Sequence, residues 1–74
     1  MSIPTIDSLP KFTDKRLETA VSNLSERYIY IVKLSYFFGY SANSLAEMFP
    51  DYFGNANAVR RSLNRAYEQL KDLF

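Results

Sequence analysis

Residues 26–38 read ERYIYIVKLSYFF, and the fold depends on whether this stretch is wound or extended. The run from Tyr28 to Val32 is rich in β-branched and aromatic side chains, which is the composition of a strand. Length decides for a helix, because thirteen residues is long for a strand and ordinary for a helix. Wound up, Ile29, Val32 and Tyr36 share one face, and Ile31, Leu34 and Phe38 share another. Glu26, Tyr30, Lys33 and Phe37 point away from both. A helix apolar on two sides is packed between neighbours, so this segment is the expected core helix.

The flanking sequence supplies caps and breaks. Gly39 is placed to end the core helix through a left-handed residue. Ser41 can cap a short third helix, ANSLAEMF, whose apolar residues are Leu45, Ala46, Met48 and Phe49. Pro50 bars its continuation, and PDYFGN reads as a turn in which Gly54 and Asn55 tolerate positive φ. A fourth helix is predicted from Ala56 or Asn57 toward Phe74. It carries Val59, Leu63, Ala66, Leu70 and Leu73 on one stripe, with Tyr67 and Phe74 at its edge. Upstream, Thr13 or Asp14 caps a helix ending near Asn23, with Leu17, Ala20, Val21 and Leu24 as its stripe. Ser25 caps the core helix, with Glu26 near its positive end. Residues 1–12 hold Pro4 and Pro10 among Ile3, Ile6, Leu9 and Phe12, and read as an extended arm. The expected architecture is therefore an arm over 1–12 and a small all-α domain of three to four helices over 13–74.

Composition narrows the chemistry. With 74 residues there is room for one domain, and one this small buries only about 60% of its unfolded surface. Six Tyr and six Phe help to fill so small a core. Tyr28, Tyr36, Phe38 and Phe49 are expected inside it. Phe37, Tyr40, Tyr52 and Phe53 lie nearer loops and outer faces, and together would make a partner-binding patch. The chain has neither Cys nor His, which excludes disulfides, thiolate nucleophiles, Cys/His zinc sites and histidine acid–base catalysis. Its acidic residues show no paired spacing for carboxylate catalysis, and no Gly-rich phosphate loop is present. The chain is therefore not expected to be an enzyme, and it calls for no metal or cofactor. No apolar run has the length of a membrane span, and the first residues do not read as a signal peptide, so a cytoplasmic location is expected.

The net charge of +1 hides an uneven distribution. Arg60, Arg61 and Arg65 cluster in the first half of the last helix, whereas residues 42–54 carry only Glu47 and Asp51. That helix has an apolar stripe for docking on its own domain and an opposite face carrying Asn57, Arg61, Asn64, Arg65 and Glu68, with Arg60 flanking. A helix-turn-helix protein needs such a helix, because Arg forks onto guanine and Asn onto adenine in the major groove. Asn57 has two readings, an N-cap or a base contact.

From Leu24 onward the chain resembles region four of bacterial and phage sigma factors. The resemblance rests on Leu24-Ser25-Glu26-Arg27, then on the apolar helix through Ile31-Val32-Lys33-Leu34. It continues through Gly39-Tyr40-Ser41, Leu45-Ala46-Glu47, and Val59-Arg60-Arg61-Ser62-Leu63-Asn64-Arg65-Ala66 up to Leu70. The segment from Phe49 to Asn55 is longer than the family's tight glycine turn, and no region-two-like segment is present. The resemblance implies a domain that reads double-stranded promoter DNA with its last helix and packs on RNA polymerase. It would make Asn57, Arg60, Arg61, Asn64 and Arg65 the DNA readers. Ser41 and Ser44 would meet a phosphate at the start of the third helix. Binding by a lone module would be weak, and a homodimer or tethering to polymerase would strengthen it. The alternative is a protein-interaction module, a polymerase- or sigma-binding factor that keeps the fold without reading DNA.

Overall fold

The computed structural model describes residues 3–73. Among these, a 3-10 turn at Ile6–Ser8 precedes five α-helices and no strand. The helices are α1 (Lys15–Ser22), α2 (Glu26–Phe38), α3 (Ala42–Met48), α4 (Pro50–Phe53) and α5 (Ala56–Leu70). Phe74, expected at the edge of the last stripe, lies outside the described residues.

The ambiguous stretch at 26–38 is wholly helical. Two adjoining apolar clusters explain why the strand-like composition yields: α2 runs between them and feeds both. Tyr30, Ile31 and Leu34 join Leu9, Leu45, Phe49, Phe53 and Val59 in one cluster. Ile29 and Val32 join Phe12, Val21, Ala66 and Leu70 in the other. Tertiary packing on opposite sides therefore overrides local β propensity. The sandwich covers the helix as far as Leu34. Beyond it Phe12 still contacts Tyr36 and Phe37, but Tyr36 (60% exposed) and Phe38 (49%) are left largely open rather than filling the core.

Two residues expected on the outer side of α2 are buried instead. Tyr30 belongs to the first cluster, and Lys33 is only 3% exposed. A lysine tolerates such burial only with a counter-charge and satisfied donors. Glu18 of α1 supplies it at 3.1 Å, and the ammonium also lies 5.9 Å from the Phe12 ring centroid. The other Glu18 oxygen accepts the Phe12 backbone N–H at 2.9 Å. Burial alone would push the Glu18 carboxyl up, but the Phe12 N–H, the Lys33 ammonium and the Ser22 hydroxyl hold it below the ordinary carboxylate value.

The described part of the extended arm, from Ile3 onward, is tied to the domain by the Phe12–Glu18 bond and by its apolar residues. Leu9 and Phe12 are buried, one in each cluster, and Ile3 and Ile6 pack partly against the core.

The termini of the helices follow the sequence closely. The Asp14 carboxylate accepts from the N–H groups of Arg16 and Leu17 to cap α1. Ser41 caps α3 through the Ser44 N–H, whereas Ser25 makes no side-chain cap bond to α2. Gly39 (φ 71°) closes α2 in the left-handed region, and its N–H and that of Tyr40 both donate to the Leu34 carbonyl. The segment expected to be a plain turn contains α4, with Pro50 at its first position. Its Phe53 is buried (1%) beside Phe49, so the extra residues hold an apolar anchor. Gly54 leaves α4 at φ 81°, ψ −137°, while Asn55 is extended at φ −93°. No helix among the described residues is long and apolar enough to cross a membrane.

Candidate nucleic-acid interface

The α5 helix starts on a side-chain cap. The Asn55 amide oxygen accepts the Ala58 N–H at 2.8 Å, so the cap is Asn55 and not Asn57. Val59, Ala66 and Leu70 are buried and dock α5 against α2 and α3. The opposite side leaves Asn57, Arg60, Arg61, Asn64 and Arg65 exposed on one continuous surface.

Arg60 is fixed in place. Its guanidinium donates to the Asn57 amide oxygen at 2.9 Å and to the Asn43 amide oxygen at 3.2 Å, bridging α5 to the first turn of α3. Asn43 was not singled out by the sequence, and no local pattern announces it. Arg61 and Arg65 stand one helical turn apart and bond to no described residue. Ser41 and Ser44 are engaged with each other at the start of α3, the Ser41 hydroxyl donating to Ser44 Oγ and accepting the Ser44 N–H.

A polar tie to α5 comes from Arg27, which sequence reading placed only in the family motif. Its Nε donates to Ser62 Oγ at 3.0 Å, and its two terminal nitrogens donate to the carbonyls of Tyr52 (3.2 Å) and Phe53 (2.9 Å). Those carbonyls are at the end of α4, where helix geometry leaves acceptors without partners. The guanidinium carbon is 5.6 Å from the centroid of the Phe53 ring. One side chain therefore ties the start of α2 to the end of α4 and the middle of α5. Among the described residues the only ion pairs are Lys33–Glu18 and Lys71–Glu68, so no carboxylate neutralises Arg27, Arg60, Arg61 or Arg65.

The aromatic residues divide differently from expectation. Phe53 is core, and Tyr52 is half-buried, packed edge-on to Tyr30 at 5.3 Å and donating its hydroxyl to Glu26. Burial, with the Glu26 carboxylate beside it, pushes the Tyr52 hydroxyl up to about 12. Phe37 and Tyr40 are half-buried at the far end of α2, where Phe37 packs at a tilt against Phe12 and Tyr40 lies parallel to exposed Phe38. No ring contact joins these two to Tyr52 or Phe53 among the described residues, so the four do not form a single patch. The exposed rings are instead Tyr36 and Phe38 at the end of α2, with part of Tyr40 beside them, and Tyr67 on α5. No group of acidic residues that could hold a metal ion occurs among the described residues.

Comparison with family models, curated proteins and solved structures returns no match.

Proposed function

We propose that this chain is a DNA-binding transcription regulator that reads the major groove with α5 and acts with or on bacterial or phage RNA polymerase, as sigma region four does. The observation that carries this reading is the α5 surface itself. Three arginines and two asparagines line the face opposite the docked stripe, and no carboxylate offsets the arginines. Arg60 is held ready by Asn57 and Asn43, which lowers the ordering cost of a contact. A single recognition helix on a chain of net charge +1 binds weakly alone, so polymerase or a second copy adds affinity.

A second reading is favoured by one observation, the outward-facing Tyr36 and Phe38 at the end of α2. It makes the chain a protein-interaction module docking through that end. Fluorescence anisotropy on promoter-like duplex DNA, alone and with polymerase, separates the two. DNA reading requires Arg61→Ala to lose binding while Phe38→Ser retains it. The reverse pattern, or no DNA binding in either setting, refutes it.

A further inference from the structure

On the flank of α5 that faces α2, Arg27, Ala58, Arg61, Ser62 and Arg65 enclose a surface hollow. We propose that this hollow seats one backbone phosphate of the bound duplex, and the proposal rests on the DNA reading above.

The walls are built from opposite directions. Ala58, Ser62 and Arg65 follow at helical spacing along one edge of α5, with Arg61 beside them, while Arg27 closes the hollow from the start of α2. Ala58 presents only a methyl group, which leaves room for a ligand to approach the helix. Arg27 spends three of its N–H groups on Ser62, Tyr52 and Phe53, and this fixes its charge at the rim. Because Arg27 Nε fills an acceptor position on Ser62 Oγ, the Ser62 hydroxyl proton is left to donate. Arg61 and Arg65 keep every donor for a ligand.

The two carboxylates that sequence places nearest are engaged elsewhere. Glu26 accepts from the Tyr52 hydroxyl, and Glu68 pairs with Lys71. No carboxylate among the described residues is within ion-pair distance of the three guanidinium groups of the hollow. Guanidinium forks fit phosphate oxygens two at a time. Arg61 belongs both to this hollow and to the exposed α5 face, so a phosphate seated here is continuous with a strand in the groove. That continuity favours nucleic acid over an acidic peptide.

The flanks of α5 would then act differently. Arg60, clamped to α3, presents a fixed fork, and the Arg61–Arg65 side grips the backbone and sets register.

The test is the salt dependence of duplex binding by the full chain and by Arg65→Gln, whose parent side chain is exposed. Circular dichroism confirms that the helices persist. One lost phosphate contact lowers the salt slope by about 0.9, so between 50 and 200 mM salt the parent should lose about 3.5-fold more affinity than the variant. Ser62→Ala should weaken binding at both salts with a smaller change of slope. Unchanged slopes and affinities in both variants, with the parent still bound to DNA, overturn the seat and leave the DNA reading intact. Failure of the parent to bind any duplex overturns both. Displacement of the duplex by poly-glutamate as readily as by inorganic phosphate at matched ionic strength assigns the hollow to acidic protein and also overturns the proposal.

Discussion

Replacing Arg27 tests how the domain holds α5 at its angle. Arg27→Met keeps the apolar stem but removes three hydrogen bonds and the cation over the Phe53 ring. A hydrogen bond to a charged donor contributes about 1.5–3 kcal/mol, and an exposed cation–π contact about 0.5–1 kcal/mol. These contributions do not sum, because they share one side chain and are lost together. A net loss of about 3 kcal/mol follows. Unfolding entropy near 2.1 cal/mol/K per residue gives about 155 cal/mol/K for 74 residues, so the melting temperature should fall by roughly 19 °C. Arg27→Lys keeps the charge but not the fork, and its ammonium cannot reach all three acceptors. It should lose about 2 kcal/mol, or roughly 13 °C. Thermal unfolding followed by circular dichroism measures both. A Met variant within about 0.5 kcal/mol of the parent would refute the clamp. A Lys variant as stable as the parent would show that charge matters and the planar fork does not.

Other perturbations reach the rest of the structure. Gly39→Ala meets no clash but must hold φ 71°, at a cost of about 1 kcal/mol, while Gly54→Ala at φ 81°, ψ −137° should cost more, about 1–3 kcal/mol; equal denaturation midpoints for the two would contradict this. Glu18→Ala strands the buried Lys33 ammonium and should cost about 3 kcal/mol, whereas Glu18→Gln combined with Lys33→Met, which keeps an acceptor for the Phe12 N–H, should come nearer parity. Because the Glu18 pKa is lowered on folding from its ordinary 4.5, its contribution is complete above that value and disappears as pH falls through the lower folded value. Acid titration of the melting temperature should show this loss in the parent and less of it in Lys33→Met. Asn43→Ala releases Arg60 without touching the core, and should weaken duplex binding roughly two- to tenfold at unchanged stability.

Local signals carried much of this fold. The caps at Asp14 and Ser41, the left-handed Gly39 and the stripe of Val59, Ala66 and Leu70 are each decided within a few residues, and each stands where the sequence puts it. What escaped was decided by distant partners. Lys33 looks solvent-facing until Glu18 arrives from α1, and Tyr36 and Phe38 look like core although the fold leaves them largely exposed at the end of α2. The link over 50–53 has the turn residues of a loop but also Phe53, whose burial makes it a helical anchor. At the candidate interface the exposed arginines and asparagines of α5 were legible from periodicity. Arg27 and Asn43 were not legible as supports for them, because their partners lie 35 and 17 residues away. Phe53 as a surface residue was an error of the same kind, since only the tertiary fold shows what covers a ring.

The central claim is that α5 presents the DNA-reading face, and amide-resolved NMR titration of the full chain with promoter-like duplex tests it most directly. The expected result is a contiguous set of shifted signals at Asn57, Arg60, Arg61, Asn64 and Arg65, fading as salt rises. Shifts confined to Tyr36, Phe38 and Tyr40, or a spectrum that does not change with saturating duplex at low salt, would contradict it.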